Sequence, residues 1–161
     1  TPNLAVMDVG RIIGHGRFSE IIHEDRVLAL AHALGLQNVL SLEVVSNDTL
    51  LGSTSARHGA QLFLLPLAQL APGATAHVAV RAENIALALC PAAHTTIQNQ
   101  LPGVITRITP LANRILVEID AGLPLIAEVS ARAVSDLALA KGTPVYCLIK
   151  ANAFAYLGQG A

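Results

Sequence analysis

Two stretches of this chain are copies of one another. Asn38-Val39-Leu40 returns as Asn99-Gln100-Leu101, Leu70-Ala71-Pro72-Gly73 as Leu139-Ala140-Lys141-Gly142, and Val80-Arg81-Ala82 as Ile149-Lys150-Ala151. The interval from glycine to basic residue is the same in both copies, whereas the interval from Asn to Gly is eight residues longer in the second. One insertion reconciles them. Each copy has roughly 55 residues, too few to build a large core alone, so the repeat predicts two small subdomains that pack together.

The texture of the copies is β. After Gly35 short apolar runs alternate with Gly, Pro, Asn and Asp, giving expected strands at 42–46, 50–53, 61–65, 75–81 and 85–89, then at 103–108, 114–120, 123–129, 143–150 and 153–157. Alternation is clearest at Ile115, Val117 and Ile119 and at Val145, Cys147 and Ile149, the period-two pattern of a half-buried strand. One helix is expected from 131 to 139, inside the insertion, with Ser130 as N-cap. Five short strands per copy is the inventory of an OB-type barrel. The fold class expected is therefore mainly β: two tandem OB-type barrels, with one short helix in the second. Ahead of them, 4–8 and 11–15 read as a hairpin turning at Val9-Gly10, with Gly14 and Gly16 ending its second strand. A short helix opening at 19–22 and a helix over 25–34, capped by Gly35, follow.

Composition narrows the function. Of 161 residues, 53% are hydrophobic and 13% charged, which excludes a disordered chain. No apolar run reaches the ~18 residues of a membrane-spanning helix. The net charge is −1 and aromatic residues make up 3%, so neither the basic stripe nor the stacking rings of a nucleic-acid surface are present. Six isolated histidines carry no zinc-ligand spacing, and no metal site is expected. Cys90 and Cys147 both fall in apolar, strand-like runs and read as buried, reduced thiols. No paired carboxylates or nucleophile–base pair emerges, and there is no GxxxxGK[ST] phosphate loop, ABC signature or Walker B strand. Catalytic residues are therefore not expected, and the chain reads as no enzyme. It opens within a hairpin and without an initiating Met, so it is expected to be part of a longer protein.

Particular motifs carry a family resemblance. The run TTIQNQLPG (95–103) is similar to the opening motif of the molybdate-binding Mop family, Ser-Ala-Arg-Asn-x-Leu-x-Gly. EVSARAVSDLALAKG (128–142) resembles its central motif, and VYCLIKAN (145–152) its closing Ile-Lys-Ala-Ser. LAPGATAHVAVRAENIAL (70–87) resembles the accessory (TOBE) domains of ABC importer ATPases. LAVMDVGRIIGHGRFSEII (4–22) resembles the last strands and helix of an ABC nucleotide-binding domain.

That order of motifs resembles the C-terminal regulatory part of the ATP-binding subunit of molybdate/tungstate ABC importers. The resemblance implies three parts: 1–35 as the tail of the ATPase domain, 36–93 as a first OB-like subdomain, and 94–157 as a second, Mop-like one. It implies molybdate or tungstate as ligand, bound at a subunit interface so as to modulate transport. It implies a homodimer and a transmembrane permease subunit reached through the ATPase domain. ATP and Mg would be confined to the full-length parent, at the cytoplasmic face of the bacterial inner membrane.

The site residues implied by the resemblance are Thr96, Ile97 and Gln98, then Ser130, then Lys150 and Ala151. A hydrated dianion leaves water only for several converging donors and compensating charge. Lys150 would supply the charge, Thr96 and Ser130 hydroxyls, and Ile97 and Ala151 backbone N–H groups. Two positions depart from the family: Gln98 stands where Arg is frequent, and Ala133 where Ser is. Other readings stand beside these: Lys150 as a solvated strand end, Ser130 as a helix cap, Thr96 as a linker residue. Asn99 reads as a brace because Asn38 holds the same place in the first copy, and Arg81 with Glu83 as a structural pair. The alternative function is a ligand-free dimerisation and docking module, which Gln98 and Ala133 favour.

Overall fold

The computed structural model describes residues 3–8, 11–17 and 37–158, and it divides into two compact units, residues 1–36 and 37–161. In the first unit, β1 (Asn3–Asp8) and β2 (Arg11–Arg17) pair antiparallel, with a bulge between Val6 and Met7. The second strand runs through Gly14 and Gly16 rather than ending there, because both stay in register with β1, opposite Val6 and Leu4. The expected turn at Val9-Gly10 and both expected helices between 19 and 34 lie outside the described residues.

The second unit is two five-stranded antiparallel sheets. Its first four strands are β3 (Gln37–Asp48), β4 (Ser53–His58), β5 (Gln61–Pro66) and β6 (Thr75–Arg81), followed by a 3-10 turn at Ala82–Asn84 and β7 (Ala86–Ala88). The second copy repeats this as β8 (Asn99–Leu111), β9 (Arg114–Asp120) and β10 (Pro124–Ser130). Helix α1 (Ala131–Asp136), β11 (Pro144–Ile149), a 3-10 turn at Ala151–Ala153 and β12 (Ala155–Tyr156) complete it.

The last strands are exchanged. One sheet runs β10-β9-β8-β11-β7 and the other β12-β6-β3-β4-β5, so each holds four strands of its own copy and the final strand of the other. β7 pairs with β11 (Ala86 with Leu148) and returns against β10, while β12 pairs with β6 (Ala155 with Ala79). Strand order and return match a small Greek-key barrel of the OB type.

The repeat is also visible in the hydrogen bonds. Gly73 donates to the Val44 carbonyl at 2.8 Å, and Gly142 to the Ile105 carbonyl at 2.7 Å. Both glycines adopt positive φ, 91° and 90°, which a side chain would strain. β3 and β8 each carry a bulge at the same place, between Val44 and Ser46 and between Ile105 and Arg107. A single hydrophobic core runs through both copies, including Leu40, Phe63 and Val80 from the first and Leu101, Ile119 and Ile149 from the second. Phe63 on β5 meets Phe154, just ahead of β12, edge to face at 6.1 Å.

The boundaries differ from the sequence expectation for local reasons. β8 begins at Asn99 rather than 103. Pro102 lacks a donor and Gly103 lacks a side chain, yet both pair with β11, opposite Tyr146 and Val145. Gly103 is close-packed, since a Cβ there would lie 2.6 Å from Ile119 Cγ2 and 2.8 Å from the Asp120 carbonyl oxygen. The expected strand at 50–53 is instead a turn: Asp48 Oδ1 accepts from Leu50 and Leu51 N–H, both at 3.0 Å, and β4 starts at Ser53. The helix stops at Asp136, short of 139, because Ala138 turns to φ 51°. Leu139 N–H then bonds the Val134 carbonyl, and Ala138 N–H the Ser135 carbonyl, the two bonds of a Schellman ending that turns Leu139 into the core. Cys147 is buried as expected. Cys90 is exposed, because it follows β7 where the chain has left the sheet.

Candidate functional site

Lys150 directly follows β11 and is the N-cap of the 3-10 turn after it. A helical turn leaves its first N–H groups without intraturn acceptors, so Ala151 and Asn152 have no N–H acceptor within the turn itself. The turn opens onto a groove of about 380 Å³ lined by Lys150 and Asn152, by Asn84 from the first copy, and by Ile97 from the linker before β8. Leu148 lies in its floor. Among the described residues, Lys150 has no ion-pair partner. Its counterpart in the first copy, Arg81, is neutralised: Arg81 Nε donates to Glu83 Oε1 at 2.6 Å. The repeat places Asn152 where the first copy has Glu83, so the second copy keeps its cation and loses the acid.

Of the residues implied by the sequence, Ile97 and Lys150 share this groove. Thr96 and Gln98 lie exposed on either side of Ile97. The Ile97 N–H is already engaged by Thr95 Oγ1 at 3.1 Å, so as a donor it is shared at best. Gln100 holds the linker in place, its amide bonding both backbone groups of Ala92, each at 2.9 Å, and the Ile97 carbonyl at 3.2 Å.

Ser130 is elsewhere. Its Oγ accepts from Ala133 N–H at 3.1 Å as the cap of α1, and it lines a second groove of about 300 Å³ with Ala133, Glu83 and Glu128. Glu128 accepts from Arg114 Nη1 at 2.5 Å, and this bond holds the Arg114 guanidinium above its ordinary pKa. Within one chain, then, Ser130 and Lys150 face two grooves, which have only Ala86 in common. Asn84 and Asn152 escaped the sequence reading. The available signal was the repeat itself, which sets Glu83 against Asn152 and Asn84 against Ala153.

Asn38 and Asn99 are buried braces. Asn99 Nδ2 donates to the Leu64 carbonyl at 2.9 Å and its Oδ1 accepts from Leu64 N–H at 2.7 Å. Asn38 makes the same pair with Ile126, at 2.9 and 2.7 Å. Each asparagine thus clasps the third strand of the other copy.

Comparisons with known proteins agree with this architecture. The TOBE domain family model matches residues 95–155. The molybdenum import ATP-binding protein ModC of Pasteurella multocida is 28% identical over 149 residues, 92% of this chain and 42% of that protein. The ModC of Albidiferax ferrireducens is 30% identical over 149 residues, 91% of this chain and 40% of that protein. The chain therefore spans about two fifths of the length of these curated relatives. Among solved structures, the cytoplasmic molybdate-binding protein ModG with molybdate bound superimposes with a TM-score of 0.66 at 21% identity, over 74% of this chain and 94% of that one. At that identity the likeness concerns the fold. The match to the TOBE domain model at residues 95–155 lies within a stretch, nine-tenths of this chain, that is similar to molybdenum import ATP-binding proteins.

Proposed function

We propose that this chain is the regulatory part of a molybdate importer's ATP-binding subunit, and that it binds molybdate or tungstate between two copies of itself and modulates transport. The observation that carries the reading is Lys150, without an ion-pair partner among the described residues, in one groove with Ile97 and Asn152, where the equivalent cation of the first copy is cancelled by Glu83. Similarity to ModC supplies the context. Residues 1–35 would be the tail of an ATPase domain, with 36–93 and 94–157 as its two OB-like appendages. ATP, Mg and the permease would belong to the parent protein, on the cytoplasmic side of the inner membrane. No chemical step is assigned to this chain. Among the described residues no helix is long and apolar enough to cross a membrane.

A tetrahedral dianion in the groove would meet one ammonium group and several neutral N–H donors, which together offset its lost hydration. Because Ser130 faces another groove, its hydroxyl would have to come from a second copy, which fits a two-fold dimer. An anion that binds better to one arrangement of two ATPase subunits shifts the population toward it, which is sufficient for regulation.

A second reading, a ligand-free dimerisation module, is favoured by the Ser130 groove, where Ala133 offers no hydroxyl and the Ser130 hydroxyl is already engaged as the cap of α1. Calorimetric titration with molybdate, tungstate and sulfate separates the two. In the first reading Lys150→Ala weakens molybdate binding roughly ten- to a hundredfold, since a hydrogen bond to a charged group is worth about 1.5–3 kcal/mol. Gln98→Arg tightens it, and Asp136→Ala, on the exposed face of α1, leaves it unchanged. A dimer that takes up none of the three anions establishes the second reading.

A further inference from the structure

The strand exchange has a chemical consequence at the Lys150 groove. β7 belongs to the first copy but pairs with β11 of the second, with Ala86 opposite Leu148. The 3-10 turn ahead of β7 is carried along, and its last residue, Asn84, lines the groove of the second copy beside Lys150 and Asn152. Among the described residues, neither the Asn84 nor the Asn152 side chain has a hydrogen-bond partner, so both amides are available. This contrasts with Asn38 and Asn99, whose amides are consumed by backbone groups. The counterpart of Asn84 in the second copy is Ala153, which has no side-chain donor, so the donor set is asymmetric between the copies.

We infer that Asn84 is an oxyanion ligand delivered by the exchanged strand, its carboxamide N–H groups joining Lys150 and Asn152 in the part of the proposed site that one chain supplies from both of its repeats. A carboxamide offers two donors and no charge. It therefore adds to the recognition of a tetrahedral oxyanion without needing a further carboxylate to balance it, where Gln98 lacks the charge of the family's Arg and Ala133 lacks a hydroxyl donor. The inference rests on the proposed anion binding.

The test is calorimetric titration of the full chain with molybdate, for wild type, Asn84→Ala and Asn84→Asp, alongside Lys150→Ala. Asn84→Ala is expected to weaken binding about tenfold or more, the effect of one lost hydrogen bond to a charged group. Asn84→Asp should weaken it further, because a carboxylate in the groove repels the anion. Melting temperatures without anion should stay within a degree or so of wild type, since Asn84 holds nothing together. If Lys150→Ala weakens binding while both Asn84 variants match wild type, the inference is overturned and the proposed function stands. If wild type binds no molybdate, both fall together. If Asn84→Ala melts early, Asn84→Asp, which keeps the side-chain shape, decides the matter by its affinity.

Discussion

Cys147 is fully buried on β11, and burial alone pushes its thiol up to about 12. In the unfolded chain the same thiol ionises near pH ~8.5. Between those two values the unfolded state has released a proton that the native state retains, so stability is full below about pH 8.5 and falls as pH rises toward 12. The slope is at most about 1.4 kcal/mol per pH unit. Melting curves between pH 8 and 11 should therefore show a steeper fall for wild type than for Cys147→Ala. Cys90, being exposed, should react with a thiol reagent in the native protein at pH 8, with Cys147 reacting only after denaturation. Two equivalents from native protein would contradict the burial of Cys147. The sequence placed both thiols in apolar runs and could not separate them. A run of apolar residues reports tolerance for burial, whereas exposure depends on where the chain leaves its sheet.

At the scale of elements, the two asparagines bind the copies together. Each sits at the start of its copy's first strand and satisfies both backbone groups of one residue on the other copy's third strand. Asn99→Ala would leave a part-buried N–H and carbonyl of Leu64 without the partners they have now, at a cost of about 1–3 kcal/mol. Urea unfolding should register a loss of that size for Asn99→Ala and a similar one for Asn38→Ala. A change under about 0.5 kcal/mol in both would mean that water replaces the clasp. The recurrence of Asn at one place in the repeat was enough to read it as a brace. Its partner was not readable, because it accepts from and donates to backbone groups, which are alike at every residue. The same limit explains the strand boundaries. Runs 75–81 and 114–120 were legible because their apolar residues alternate, while β4, polar and Ser-rich, was read too early in the chain.

At the scale of the whole molecule, the exchange of β7 and β12 makes residues 37–158 one folding unit. Residues 94–158 alone would lack β7, leaving one edge of β11 unpaired and Cys147 uncovered, and residues 37–93 alone would lack β12. Neither half should give a cooperative thermal transition as a monomer, whereas mixing the two should restore it. Circular dichroism on the separate and mixed halves checks this, and a half that melts cooperatively as a monomer would contradict it. The sequence by itself determined the number of copies, their β character, the recurrence of Gly73 as Gly142, and the capped helix inserted in the second copy. Each of these is set by local backbone preference or by side-chain spacing. Only the tertiary structure decided that the last strands cross over, that Asn84 lies beside Lys150, and that Ser130 faces a different groove. Those follow from which strands pair, and pairing is made by backbone hydrogen bonds whose chemistry is the same along the chain, so spacing fixes which face is buried but not which neighbour buries it.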